Sequence, residues 1–400
     1  MIVHGETSKR SQDSPNDSGQ PPKTIDLPFG VSSPIIALGG DMKCCVYAIK
    51  ERAAWEVESF ENLEDGENYR RFVRFIDALC AEFCEDALIL AHDMHPALLT
   101  TTYARGHMTL APQGNRVQRC TPVQHHHAHI MSCAAEHGLR QPVVGIACDG
   151  NGYGADGHNW GCEVMVADAN KFMRFGHLDY FGLPGGDAAA LEPWRSALSL
   201  LWLAFEGRTP PHIERIFAGV PRTRLDGVRA LLAHHVSCPL SSSLGRLFDA
   251  VSFLCGLCEQ HSRDGQAARL LQSVADEDAE PYPYFEMVNP DRRIIDPRPL
   301  IQAVCCDLTE HVSISQISGR FHATIAQALS KLALQAACDH EIDTVVVSGG
   351  CFMNQMLSDL VCRGLVRGGV NVFKHEKVSC GDAGLGLGQA VIASAQYVKK

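Results

Sequence analysis

Gln124-His125-His126-His127-Ala128-His129 is answered, twenty residues after its last histidine, by Asp149-Gly150-Asn151-Gly152-Tyr153-Gly154-Ala155-Asp156-Gly157. His125 and His129 stand four apart, and in a helix that spacing puts both imidazoles on one face, where they can share one divalent cation. His126 and His129 would serve nearly as well. The apolar run at 143–148 has the character of a buried strand, so Asp149 falls where a strand opens into a glycine-dense turn. Gly150, Gly152, Gly154 and Gly157 let backbone N–H groups come close to an anion. One stretch suits a metal and the other a phosphate.

The pattern around these stretches repeats. Strands are expected at 34–38, 44–50 and 53–60, then a helix over 69–83 carried by Tyr69, Phe72, Val73, Phe75, Ile76, Leu79 and Phe83. A strand at 87–91, a helix at 96–105, a strand ending at Val123 and the histidine helix to His137 follow. Three strands come again at 143–148, 161–166 and 172–178. A helical insertion at about 188–275 interrupts the repeat, which resumes with a long amphipathic helix (315–340), a strand (344–347), a helix (355–366), a strand around Val372 and a last helix after Asp382. Three strands followed by helices, twice over, predict an α/β fold of two duplicated lobes facing each other across a cleft. The expected division is a disordered tail at 1–26, a first lobe at 27–142 carrying the histidines, and a second lobe at 143–400 with the insertion.

Composition narrows the function. The 400 residues are 46% hydrophobic and 20% charged, which describes a globular chain with real cores. A formal charge of −11 argues against nucleic acid or an anionic membrane as the main partner. No apolar run is long enough to span a bilayer and the polar start does not read as a signal peptide, so a cytoplasmic location is expected. The 17 cysteines are scattered through apolar segments, as reduced buried thiols would be. Cys255 and Cys258 have the spacing of a zinc or redox pair, but no second pair accompanies them.

Five glycine-bearing turns follow apolar runs, and in an open parallel sheet such turns converge on one crevice beyond the strand ends. In the first, Gly40 and Lys43 would meet a phosphate, unless Lys43 is simply an exposed hairpin lysine. Gly150, Gly152 and Gly154 form the second, and Gly186 with Asp187 the third. In the fourth, Gly349 and Gly350 can pass under an adenine or ribose, with Asn354 beside a helix start. In the fifth, Asp382 is either an N-cap or a metal ligand. Two imidazoles with one or two carboxylates suit Fe(II) or Zn(II). Arg195 is either half of a buried pair or an anchor for a small anionic or carbamoyl group. The segment of Asp264 and Gly265 is a helix entrance or a ribose contact.

These motifs, with 183–189, 192–195, 245–251 and 265–268, resemble the C-terminal domain of the HypF carbamoyltransferases over roughly residues 33–395. The resemblance implies the duplicated actin, hexokinase and Hsp70-like (ASKHA) fold, shared with tRNA threonylcarbamoyl transferases and antibiotic O-carbamoyltransferases. It implies one divalent metal on His125, His129, Asp149 and Asp382, and an ATP-derived nucleotide, carbamoyl-adenylate, against Gly150, Gly152, Gly186, Gly349, Gly350 and Asn354. It further implies carbamoyl transfer to the C-terminal cysteine of a HypE-like acceptor during nickel–iron hydrogenase maturation, on the route to cyanide ligands. The carbamoyl-adenylate-forming module of the full-length family is not read in these residues, so a separate source of carbamoyl-adenylate is expected. Gly381-Asp382-Ala383-Gly384, Arg263-Asp264-Gly265 and Cys44-Cys45 replace the usual Asn-Asp-Gly-Gly, Tyr-Glu-Gly and Asn-Thr. Small-molecule O-carbamoylation, or a non-catalytic nucleotide- and metal-binding scaffold, are the competing readings.

Overall fold

The computed structural model describes residues 24–27, 30–82, 88–109, 117–283, 288–289 and 293–396. Most of the expected tail, residues 1–23, lies outside these, as do Phe83 and Ala87. The end of that tail is ordered, however. Residues Thr24–Asp26 form β1, because Ile25 and Leu27 find apolar surface to bury and the strand pairs with the outer edge of the first sheet.

In the first lobe, β2 (Ile35–Ala37), β3 (Met42–Lys50) and β4 (Ala53–Asn62) run antiparallel. After α1 (Gly66–Glu82), whose buried face carries Phe72, Ile76 and Leu79, come β5 (Leu88–Asp93), α2 (Leu99–Thr109), β6 (Val117–Val123) and α3 (His125–Glu136). The second lobe opens with β7 (Val143–Tyr153), β8 (Asn159–Ala167) and β9 (Phe172–Leu178), again antiparallel.

The insertion then adds β10 (Phe181–Gly182), α4 (Ala188–Leu191), α5 (Pro193–Ala204), α6 (Pro211–Glu214), α7 (Arg222–His234), β11 (Leu240–Ser241), α8 (Leu244–Leu254) and α9 (Gln266–Ser273). It continues past the expected end through β12 (Val288–Asn289), β13 (Ile294–Ile295) and α10 (Arg298–Thr309). The repeat resumes with α11 (Ile314–Asp339), β14 (Thr344–Ser348), α12 (Gln355–Arg367), β15 (Asn371–Lys374) and α13 (Leu385–Gln396).

Sheet order shows the duplication directly. The first sheet runs β1-β4-β3-β2-β5-β6 and the second contains β9-β8-β7-β14-β15. Each half thus has the order third-second-first-fourth-fifth, with its fourth and fifth strands parallel to its first. The helix that ends each half then packs across the middle of the molecule. α3 lies against α13, β7 and β14, and α13 lies against β2, β3 and β5. One apolar core joins Ile35, Ile49 and Ala91 of the first sheet to Ile130, Val346, Leu387 and Val391, so the lobes share a floor beneath the cleft. At Gly388 an added Cβ would lie 1.8 Å from the Ala128 carbonyl oxygen, so only glycine lets the two helices come this close.

Candidate metal centre and cleft

All the strand ends that matter open toward the same place. Asp93 closes β5, His125 follows β6, Asp149 lies in β7, Gly349 follows β14 and Asp382 follows β15. This is the crevice beyond the C-terminal ends of parallel strands, here assembled from both sheets.

α3 begins in a specific way. Gln124 caps it, its Oε1 accepting the His127 N–H at 2.8 Å, while its Nε2 donates to the Tyr153 carbonyl of the glycine turn. The helix is buried along its length, so every one of its four histidines must find a partner or remain an orphan. In β7, the ladder to β8 is interrupted between Cys148 and Gly152, and this bulge swings Asp149 out of the sheet toward α3.

His125 Nε2 lies 3.3 Å from Asp149 Oδ2 and 3.7 Å from Asp382 Oδ1. His129 Nε2 lies 3.4 Å and 3.5 Å from the same two oxygens. The four donor atoms fall within 4.8 Å of one another. Ligands about 2.0–2.2 Å from a shared ion stand about 3.3–3.6 Å apart when spread near-tetrahedrally, close to the four imidazole–carboxylate distances. His129 Nε2 and Asp382 Oδ1 are buried and have no hydrogen-bond partner, which is costly unless a cation fills the gap. Two imidazole nitrogens and two carboxylate oxygens suit Fe(II) or Zn(II), so the residues fit the expected metal. Of the two pairings left open by the sequence, the structure groups His125 with His129 and the two carboxylates: His126 Nδ1 faces Gln124 and its Nε2 takes no part in the cluster. Asp382 is the first residue of a short turn at Asp382–Gly384 whose cap position is held by Gly381, and its Oδ1 faces His125 and His129.

Burial opposes the positive charge on His125, but Asp149, Asp382 and Asp93 outweigh it and hold its pKa well above the usual value. His129 is raised in the same way, burial being overcome by Asp149 and Asp382. Burial works against the Asp149 carboxylate, yet His125 and His129 keep its pKa well below normal. On the neighbouring faces burial wins: His126 is held well below the usual value and His127 falls to about 4.

Sequence reasoning did not single out two residues that support this cluster. Asp93 Oδ2 accepts the His125 Nδ1–H at 2.7 Å, which fixes the tautomer that leaves Nε2 free for an ion. Its signal was available, since Asp93, like Asp149, is a carboxylate at the end of an apolar run. Glu136, at the far end of α3, accepts from the backbone N–H groups of Glu376, Lys377 and Val378 and from His375 Nδ1. It thereby clamps the segment leading to Asp382. Although burial opposes its charge, His375 and those backbone donors bring its pKa to about 2. His375 in turn meets Ser348 Oγ at 2.9 Å, which ties the Asp382 segment to the Gly349 turn. No sequence spacing links Glu136 to residues some 240 positions away.

The expected nucleotide residues are placed as follows. Gly349 has φ 102°, and a Cβ there would lie 2.2 Å from the Cys148 carbonyl oxygen; one at Gly350 would lie 2.8 Å from Asp149 Oδ1. Gly152 makes room for histidines, since its Cβ would meet His126 at 2.4 Å and His125 at 2.8 Å. Gly154 makes room for Trp160 in the same way. Asn354 is engaged at both ends, its Oδ1 capping α12 through the Leu357 N–H and its Nδ2 against His322 Nε2 at 2.9 Å. Gly40 has only Leu385 near its missing side chain, and Gly186 faces open space, with Asp187 exposed beside it. Lys43 reaches across the cleft to Asp264 at 2.6 Å, both ends exposed, next to Gly265. Arg195 is a structural pair, bonded to Glu192 at 2.5 Å and to the Pro184 carbonyl. The thiols of Cys255 and Cys258 are buried and free, and they belong to no metal-type cluster among the described residues. No helix among the described residues is long and apolar enough to cross a membrane.

Comparison with known proteins agrees with this architecture. Residues 31–136 match the family described as the HypF Kae1-like domain, and residues 145–389 match the carbamoyltransferase Kae1-like domain, second subdomain. A carbamoyltransferase HypF homolog of Cupriavidus necator is 34% identical over 386 residues, covering 92% of this chain and 94% of its own. A crystal structure of full-length HypF in the phosphate- and nucleotide-bound form superposes with a TM-score of 0.86 at 34% identity, covering 95% of this chain and 48% of that one. HypF of T. kodakarensis gives 0.81 at 27% identity, with 94% and 50% covered. Against several other HypF relatives, too, the chain spans about half of their length. The chain belongs to the HypF carbamoyltransferase family and carries its Kae1-like domain, with the duplicated ASKHA fold.

Proposed function

We propose that this HypF-family chain is a metal-dependent carbamoyltransferase that moves a carbamoyl group from carbamoyl-adenylate to the C-terminal cysteine thiol of a HypE-like acceptor, in the synthesis of cyanide ligands for nickel–iron hydrogenase. The observation that carries the reading is the His125, His129, Asp149 and Asp382 cluster, in which His129 Nε2 and Asp382 Oδ1 are buried without a hydrogen-bond partner, set where the strand ends of both lobes open onto the cleft. Support for a nucleotide comes from the related HypF structure with phosphate and nucleotide bound.

In the transfer, a new S–C bond forms between the acceptor sulfur and the carbamoyl carbon. The C–O bond to the adenylate phosphate breaks, AMP departs with that electron pair, and the thiol proton passes to water. A divalent ion held by the four ligands would supply Lewis-acid stabilisation of developing negative charge. Asp93 holds His125 in the ligating tautomer, and Glu136 holds the segment that presents Asp382. Gly349 and Gly350 keep the cleft wall beside Asp149 free of side chains.

The test supplies pre-formed carbamoyl-adenylate and a HypE-like acceptor to the iron- or zinc-loaded chain and follows the acceptor by mass spectrometry. Carbamoylation of the terminal cysteine, lost in the His125→Ala/His129→Ala variant, is the expected result. An unmodified acceptor alongside an active full-length HypF control would overturn the reading in favour of a nucleotide-binding scaffold.

A further inference from the structure

Arg246 is buried, with 7% of its surface exposed, yet much of its hydrogen-bonding capacity is unused. A guanidinium offers five N–H donors. Nη1 takes both of the contacts that Arg246 makes, donating to the Ala190 carbonyl at 2.9 Å and pairing with Asp249 Oδ2 at 2.9 Å. Nε has no partner, and Nη2 makes no hydrogen bond among the described residues. Nη2 instead points at the Asp149–Gly150 turn, 3.4 Å from where a Cβ on Gly150 would stand.

Arg195 and Arg246 both sit in the first turn of an insertion helix, but Arg195 donates from Nε to Glu192 and from Nη1 to the Pro184 carbonyl, whereas Arg246 makes its contacts through Nη1 alone and leaves a buried Nε without a partner. A structural arginine so deeply buried would be expected to fill its donors, because unmet N–H groups cost free energy in the interior.

The surroundings favour an anion. α8 runs for 11 residues from the Ser243 cap, and that cap bonds the carbonyls of Asp149 and Gly150, so the positive end of the helix abuts the turn that carries a metal ligand. A Cβ on Gly245 would lie 2.9 Å from the Gly150 Cα, so the contact is close-packed without side chains. Asp249 lies behind the guanidinium, with its other oxygen 3.0 Å from His261 Nε2.

We propose that Arg246, set between the start of α8 and the Asp149–Gly150 turn, is the phosphate-anchoring residue of the cleft and binds the phosphate of the adenylate beside the metal cluster. This assignment rests on the carbamoyl-adenylate reading and names the group that would recognise the leaving phosphate.

Titration calorimetry of the metal-loaded chain with AMP, adenosine and inorganic phosphate tests it. Arg246→Gln is expected to weaken AMP and phosphate by roughly ten- to a hundredfold, the worth of hydrogen bonds to a charged group, with adenosine affinity and metal content unchanged. Asp249→Asn keeps the guanidinium and should bind AMP as well as wild type or better. Should Arg246→Gln fail to fold, Arg246→Lys takes its place, with weakened AMP binding again expected. AMP binding unchanged in the Arg246 variant, or AMP and adenosine weakened equally, overturns the assignment and leaves the adenylate reading intact. A wild-type chain that binds neither AMP nor adenosine overturns the adenylate reading, while phosphate binding lost in Arg246→Gln would still support Arg246 as an anion site.

Discussion

The faces of helix α3 put the same side chain to different uses. His125 and His129 look into the cleft, where two carboxylates surround their Nε2 atoms and raise their pKa values. His126 and His127 look into the protein, where burial lowers theirs, and His127 Nε2 is consumed by the Asp168 carbonyl at 2.7 Å. All four are buried on one helix, so neither helical spacing nor burial makes a histidine a ligand. What differs is whether carboxylates stand opposite.

The sharpest way to break this contrast is to remove one face at a time. His129→Ala should abolish stoichiometric binding of iron or zinc, measured by elemental analysis after dialysis, whereas His127→Gln should leave about one ion per chain. Metal retained in the first variant would dissolve the distinction. Asp93→Asn keeps every ligand but loosens the tautomer of His125, and metal affinity should fall by about 10–100-fold. A competition titration with a chelating indicator gives that value, and wild-type affinity would show that the Asp93 hydrogen bond does not tune the site.

Protons sharpen the contrast further. The raised pKa values of His125 and His129 mean that the apo cluster holds protons that an ion must displace. Metal uptake should therefore release protons, and affinity should fall as pH is lowered; calorimetry in buffers of different ionisation enthalpy reads this directly. In the apo chain, the stability from these two raised groups is complete below the unfolded histidine value of about 6.5 and is lost as pH rises through their folded values.

His127 has the opposite sign. Its folded pKa of about 4 lies below the unfolded value, so its neutral, bonded form stabilises the fold above pH 6.5 and that stability is lost as pH falls from there toward 4. The acid-side loss amounts to roughly 3 kcal/mol. His127→Gln, which cannot be protonated, should flatten that part of the denaturation profile while lowering stability near neutrality by about 1–3 kcal/mol. An unchanged profile would remove His127 from the acid response.

Each lobe was legible from alternation and turn chemistry, because apolar runs and glycines report local backbone needs. His125 with His129 could be read as a pair on one helical face, since that depends on neighbours within a few residues; the strand expected to end at 148 instead runs on through Asp149 to Tyr153, because a bulge lets the ladder to β8 resume at Gly152. The extent of the insertion was less clear, because β12, β13 and α10 hold their places by packing on β9, α5 and α11 rather than by a pattern of their own. The short strand at 24–26 was missed for a similar reason, its only support being the distant edge of β4.

The sequence by itself determined a duplicated α/β chain with a histidine pair, a carboxylate after an apolar run, and glycine turns, because these are fixed by periodicity and by backbone sterics. Only the tertiary structure decided that His125 rather than His126 faces Asp149, and that Asp382 is a cluster carboxylate rather than a cap. It also decided that Gly152 serves the histidines and that Arg246 keeps unspent donors beside Gly150. These choices depend on how two sheets and two crossing helices meet, and distances across a shared core are set by packing between segments hundreds of residues apart, which no local pattern encodes.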